Sequence, residues 1–246
     1  MQETATSDRA APRRVGRPPR ISREQIAEAA VEIGLGELTL RAVAERLGVS
    51  IPALYHHVES KDDLVRLAAD HAARRAVLPD DRGQHWALWL LEWARYNRDV
   101  FFADPALLGE YLRGGISLAA IAEREDVILG VLVRRGFTIL EAESAYELVS
   151  SCAVGFAVNA IRDQATGRPG HDRTTEYGSL LRSRDPADLP YIRLLSAEAL
   201  THDGPSFDEQ VRSVLIGVAM TYGKDPDSVL RALRDAGVGP ATSSCP

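Results

Sequence analysis

The segment from Thr39 to Lys61, TLRAVAERLGVSIPALYHHVESK, restricts the fold of this 246-residue chain more than any other stretch. Thr39 is placed to cap a short helix whose apolar residues Leu40, Val43, Ala44 and Leu47 recur at helical spacing on one face. Gly48 closes that helix, because it accepts a left-handed backbone that a Cβ resists. Val49 then packs inward, and Ser50 caps a second short helix holding Leu54 and Val58. Small Ala44 lets the two helices cross closely. Two short helices on a tight glycine turn form a helix-turn-helix, and Ser60-Lys61 opens a longer helix behind it.

The rest of the chain repeats the same grammar of helix starts and stops, with no alternating strand pattern and no internal repeat. Ser22/Gln25, Thr138/Glu141 and Ser206/Glu209 have capping-box spacing, and Asp104-Pro105 and Asp225-Pro226 pair a cap with proline at the first helical position. Gly114, Gly136 and Gly237 supply stops. Helices are expected over 22–34, 40–47, 51–57, 61–78, 84–102, 105–113, 118–135, 139–164, 189–201, 206–222 and 226–236. Gly167 to Asp188, rich in Gly, Arg, Asp, Ser and Thr, reads as a long mobile loop. The fold class is all-α: an N-terminal helix-turn-helix domain and a larger C-terminal helical domain.

Composition excludes several classes. No unbroken apolar run approaches the roughly 18 residues of a membrane span. The N-terminus has no apolar block after its charges, so it does not read as a secretory signal. Cys152 and Cys245 form neither a metal spacing nor a disulfide framework, and the six histidines lack ligand-like neighbours. No metal and no cofactor are expected, and the chain is expected to be cytoplasmic with no membrane partner. The net charge is −6, yet six arginines and no acid lie between Arg9 and Arg23, which leaves −12 on the remainder. A basic arm on an acidic body suggests a tail that touches nucleic acid. Pro18-Pro19 keeps the arm extended, so Arg17 and Arg20 could lie in a narrow minor groove or simply be drawn to phosphates.

ISREQIAEAAVEIG followed by LTLRAVAERLGVSIPALYHHVESKDDLV resembles the TetR family of bacterial transcriptional regulators, over about Ile21 to Leu67. The run LGVS-x-PALY-x-HV-x-x-K-x-x-L carries most of the likeness. Gly136, Phe137, Thr138, Ala142 and Ala145 extend it loosely towards the tetracycline-repressor-like branch. The resemblance implies an all-α homodimer whose C-terminal domain takes a small molecule. The implied division is an arm at 1–20, a DNA-binding domain at 21–66, a ligand-binding and dimerisation domain at 67–238, and a disordered tail at 239–246. It also implies DNA contacts at Thr39, Arg41, Ser50, Pro52, Ala53, Tyr55, His56 and Lys61. Arg41 suits a guanine edge or a phosphate, Tyr55 and Lys61 suit phosphates, and Pro52 and Ala53 suit a thymine methyl. His56 stands where a tetracycline-type repressor carries a bulky aromatic residue, and His57 reads as a packing histidine.

Trp86, Trp89, Trp93 and Tyr96 share an arc of roughly 80° at helical spacing. Such a stripe is usually core; in a protein whose fold implies a pocket, Trp89 and Trp93 are candidates to line it. Phe102, Tyr111, Phe137, Asn159 and His71 are weaker candidates, and Asn159 in an apolar helix needs a partner, either a ligand or backbone. For the dimer, the helix at 139–164 is apolar nearly all round from Leu148 to Ile161, and the helix at 206–222 carries an apolar stripe. Cys152, Gly155, Phe156, Val211, Leu215, Val218 and Tyr222 are the interface candidates.

The expected function is a repressor that binds a pseudo-palindromic double-stranded operator as a homodimer and is released by a small-molecule effector, aromatic or amphipathic. The alternative is an effector-independent activator or architectural DNA-binding protein. No catalytic residues are assigned: Gly-x-Ser-x-Gly, His-Glu-x-x-His and phosphate-binding glycine loops do not occur.

Overall fold

A computed structural model of the chain describes residues 21–165, 173–199 and 206–238. The arm with Arg17 and Arg20 and the tail at 239–246 lie outside the described residues. Every regular element among the described residues is helical. In chain order they are α1 (Arg23–Ile33), a 3-10 turn (Leu35–Glu37), α2 (Leu40–Leu47), α3 (Ile51–Leu54), α4 (Lys61–Arg74), α5 (Trp86–Ala103) and α6 (Pro105–Leu112). Then follow α7 (Leu118–Arg134), α8 (Ile139–Ala165), α9 (Arg173–Arg182), α10 (Pro190–Ala199), α11 (Phe207–Thr221) and α12 (Pro226–Asp235).

The caps expected from sequence form. Ser22 Oγ accepts from the Gln25 amide at 3.2 Å while Gln25 Oε1 accepts from the Ser22 amide at 3.0 Å, closing a capping box at α1. Ser206 and Glu209 close another at α11. Gly48 ends α2 at φ 66°, which lets the Val49 amide reach back to the Ala44 carbonyl at 3.0 Å.

Three differences from the expected helices have physical causes. The second helix of the helix-turn-helix is a single turn, Ile51–Leu54, and continues as tight turns in which the His57 amide reaches the Leu54 carbonyl at 2.8 Å. The helix expected to reach residue 78 stops at Arg74, ahead of Pro79, which cannot continue a helix. Inside the stretch expected to be a mobile loop, residues 173–182 form α9. Arg193 of α10 holds the end of α9 by donating to the carbonyls of Leu181 at 3.3 Å and Asp185 at 2.8 Å. That support is non-local, so the loop-like composition of the segment gave no sign of it.

The apolar residues form two cores. One gathers Trp86, Trp89 and Trp93 of α5 with Ile128 and Leu132 of α7, Val149 of α8, Val211 and Leu215 of α11 and Leu233 of α12. Each such fully buried large side chain contributes about 2–3 kcal/mol relative to exposure. The other core gathers Ile26, Val43, Leu54 and Leu64 of the first four helices with Leu38 ahead of α2, and it also takes in Phe101 of α5, Leu107 and Leu108 of α6, and Ala157 of α8. The head is therefore packed on the body through α4, α5 and α6.

From Ile139 to Arg162, α8 is long and apolar enough by composition to cross a membrane, although Glu143 and Glu147 interrupt it. It packs against α5, α7 and α11. Only 22% of its apolar window is buried in the single chain, so most of that surface is left for something else to cover.

Candidate nucleic-acid interface, cavity and subunit face

The head presents Thr39, Arg41, Ser50, Pro52, Tyr55, His56 and Lys61 to solvent, with Ala53 half-buried among them. Their exposure follows from what is inside: Val43, Ala44 and Leu54 turn inward and leave the start of α2 and α3 outside. Thr39 Oγ1 accepts from the Ala42 amide at 3.0 Å and Ser50 Oγ from the Ala53 amide at 3.3 Å. Each hydroxyl proton stays free to donate to a phosphate oxygen. Arg41 Nε donates to Glu45 Oε1 at 2.7 Å, but its side chain is 80% exposed. An exposed pair of this kind is weak and screened by solvent, so Arg41 can leave Glu45 for another partner at little cost. Tyr55 is 52% exposed. His57 is half-buried, and its carbonyl accepts from Arg23.

Behind the head lies a cavity of about 120 Å³ bounded by α4, α5, α6, α7 and α8. Ala72 and Ala73 of α4, Tyr96, Asn97, Val100 and Phe101 of α5, Arg124 of α7, and Tyr146, Ser150 and Val154 of α8 line it. Of the residues expected to line a pocket, Tyr111 does. Trp89 and Trp93 do not: they are 0% and 1% exposed and belong to the body core, the usual destiny of an aromatic stripe. Trp93 stands one layer behind the wall, stacked on Tyr96 at 5.7 Å and donating from Nε1 to Ser150 Oγ at 3.4 Å. Phe137 is buried against Trp86, Phe102 is exposed, and Asn159 is on the exposed side of α8. His71 lines an adjoining groove under α1 instead, where its Nδ1 lies 3.2 Å from Glu24 Oε1.

The cavity residues that sequence reasoning missed, Tyr96, Arg124 and Tyr146, sit on three separate helices. The helical spacing that groups Tyr96 with Trp86, Trp89 and Trp93 stays within one helix and could not bring it together with Arg124 and Tyr146. Burial pushes the Tyr146 phenol above its ordinary pKa, and the Arg124 charge beside it opposes that shift. Three hydrogen-bonded links join these walls to the head. Arg124 Nη1 donates to the Ala73 carbonyl at 3.0 Å, and Asp70 of α4 accepts from the Ser117 amide at 2.7 Å. Asp104 caps α6 with Oδ1 and accepts from the Leu35 amide with Oδ2 at 3.3 Å.

On α8 and α11 the expected interface residues divide. Val211, Leu215 and Val218 are 0–1% exposed and hold this chain's own core, and Phe156 meets Phe207 edge-on at 5.0 Å. A single apolar stripe does not reveal whether it faces its own core or a partner; here it faces the core. The outward stripe carries Leu148, Cys152, Gly155 and Asn159 on α8 and Ser213, Gly217 and Met220 on α11. A Cβ added at Gly155 or Gly217 would meet nothing within 4 Å. Tyr222 is half-buried at the end of α11. Among the described residues no cluster of histidine, cysteine or acidic side chains is placed to hold a metal.

A helix-turn-helix with an exposed reading face, packed through α4, α5 and α6 onto a cavity-bearing all-helical body, defines a DNA-binding transcriptional regulator. Residues 24–68 match the family described as bacterial regulatory proteins, tetR family. Over that head the chain is similar to the tetR family. An HTH-type transcriptional regulator of Saccharopolyspora erythraea is 27% identical over 218 residues, covering 83% of this chain and 87% of that protein. The tetracycline repressor protein class A from transposon 1721 of Escherichia coli is 28% identical over 198 residues, covering 76% and 84%. Among solved structures, the TetR family protein ActR of Streptomyces coelicolor in complex with actinorhodin shares the fold at a TM-score of 0.63 and 19% identity. The match covers 83% of this chain and 99% of that one. A TetR variant of Acinetobacter baumannii in complex with minocycline shares it at a TM-score of 0.54 and 21% identity, covering 83% and 96%.

Proposed function

We propose that the chain is a ligand-responsive repressor that acts as a homodimer in the cytoplasm. The outward faces of α8 and α11 pair with those of a second copy, and the two heads read successive major grooves of a pseudo-palindromic operator. Thr39, Arg41, Ser50, Pro52, Ala53, Tyr55, His56 and Lys61 make the contacts, and the arm with Arg17 and Arg20 adds to them. A small molecule entering the cavity favours a conformer in which the head separation no longer matches the DNA repeat, and the dimer leaves the operator.

The observation that carries this reading is the run of α4. It opens at Lys61 in the DNA-facing surface and ends beside the cavity, where Arg124 holds the Ala73 carbonyl. A molecule in the cavity therefore acts on the same helix that sets the head. Two of the structural neighbours hold a small organic molecule, actinorhodin in one and minocycline in the other. The aromatic walls of the cavity here suit an organic ligand in the same way.

Selection of bound sequences from a random DNA pool, followed by binding of the recovered site at several salt concentrations, tests the reading. The expected outcome is an inverted repeat with half-sites about one helical turn apart or a multiple of it, and an affinity that falls steeply with salt. Sequence-independent binding would overturn it. Ligand-induced release from the recovered site separates this repressor from an effector-independent DNA-binding protein.

A further inference from the structure

We propose that the molecule received by the cavity is a single-ring aromatic carboxylate whose anion is bound by Arg124. The proposal rests on the reading of this cavity as the effector site.

Among the described residues Arg124 is the sole charged residue lining the cavity, and no aspartate or glutamate shares its walls. Its guanidinium is incompletely satisfied. Nη1 reaches the Ala73 carbonyl, but Nε is buried without any hydrogen-bond partner. Among the described residues Arg124 forms no ion pair. The acids nearby are already engaged: Glu125 accepts from the Tyr146 hydroxyl, Asp70 from Ser117, and Glu110 from Arg113. A buried N–H left without an acceptor is unfavourable in a low-dielectric wall, and a carboxylate is the partner whose planar geometry an arginine fork matches.

The sign of the charge follows from a second observation. Aromatic walls alone would also suit a cation, which the faces of tryptophan and tyrosine attract. Here the wall already carries a cation of its own, the Arg124 guanidinium, which lies over the Trp93 ring behind it at 5.4 Å. A cationic ligand would meet it as a like charge. The size follows from the walls: Tyr96, Phe101 and Tyr146 enclose about 120 Å³, near the roughly 150 Å³ of an engineered cavity that holds benzene. Because Arg124 also holds Ala73 in the last turn of α4, a carboxylate that draws on this guanidinium acts on the helix that carries the head.

The test compares three probes of matched shape on the full-length protein by titration calorimetry: benzoate, benzamide and benzylammonium. The carboxylate is expected to bind at least about tenfold tighter than the amide, and the ammonium not measurably. Arg124→Gln should remove the preference for the carboxylate, bringing its affinity down to that of the amide. Arg124→Lys, which keeps the charge, should retain part of the preference. Equal binding of carboxylate and amide to the unsubstituted protein would overturn the anion while leaving the cavity reading intact. Failure of all three to bind would overturn both.

Discussion

His85 caps α5 with an imidazole: Nδ1 accepts from the Ala87 amide at 3.2 Å, and Nε2 lies 3.2 Å from Ser228 Oγ. The cap requires Nδ1 to be unprotonated, so Nε2 carries the hydrogen and donates to Ser228. Burial lowers the His85 pKa below its ordinary value, and the Arg135 charge lowers it further against a smaller opposing effect of Asp225. The unfolded chain therefore binds a proton more readily than the folded one. Stability is full above the ordinary histidine range and declines as pH falls through the depressed native value. His85→Asn keeps a capping acceptor and removes the titration. Thermal unfolding at pH 7.5 and pH 5 should show an acid-induced fall in Tm that is smaller in the variant by about 2–4 °C, the equivalent of one cap worth ~1 kcal/mol. An identical fall in both proteins would remove His85 from the account.

At the scale of elements, α3 separates a residue's value to the fold from its value to recognition. Leu54 is fully buried in the head core, whereas Tyr55 beside it is exposed and its hydroxyl makes no hydrogen bond among the described residues. Tyr55→Phe should leave Tm unchanged and weaken operator binding about three- to tenfold, the worth of one hydrogen bond. Because a phosphate contact carries no base information, the loss should be equal on matched and mismatched sites in a gel-shift titration. A lowered Tm would place the hydroxyl in the fold instead. The head was legible from sequence because its signals are local: Thr39, Gly48 and Ser50 each act within a few residues of themselves. The cavity was not, because Tyr96, Arg124 and Tyr146 converge from α5, α7 and α8 through packing alone. The Trp89 and Trp93 stripe marked α5 correctly as amphipathic but could not say that its aromatic side meets α8 and α11. For the same reason α9 escaped notice, since its support is the guanidinium of Arg193 from the next helix.

At the scale of the whole molecule, the two glycines Gly155 and Gly217 are unexplained by the single chain. Each stands inside a helix, where glycine is less favourable than alanine by about 1 kcal/mol, and a Cβ at either would meet open space. Nothing within one copy requires their smallness, whereas a second pair of helices crossing α8 and α11 closely would. Met220, 70% exposed, and the half-exposed Leu148 flank them with apolar surface that such a crossing would cover. Gly217→Glu therefore discriminates where Leu215→Glu would not, because Leu215 is fully buried and a charge there would unfold the chain itself. Sedimentation should find Gly217→Glu monomeric with its helical circular dichroism intact. Its affinity for a single half-site should be unchanged, while affinity for a full inverted repeat should fall by about 100-fold or more, as the second head loses the effective concentration that linkage provides. A folded variant that still sediments as a dimer would move the interface away from α8 and α11, and the glycines would then need another explanation.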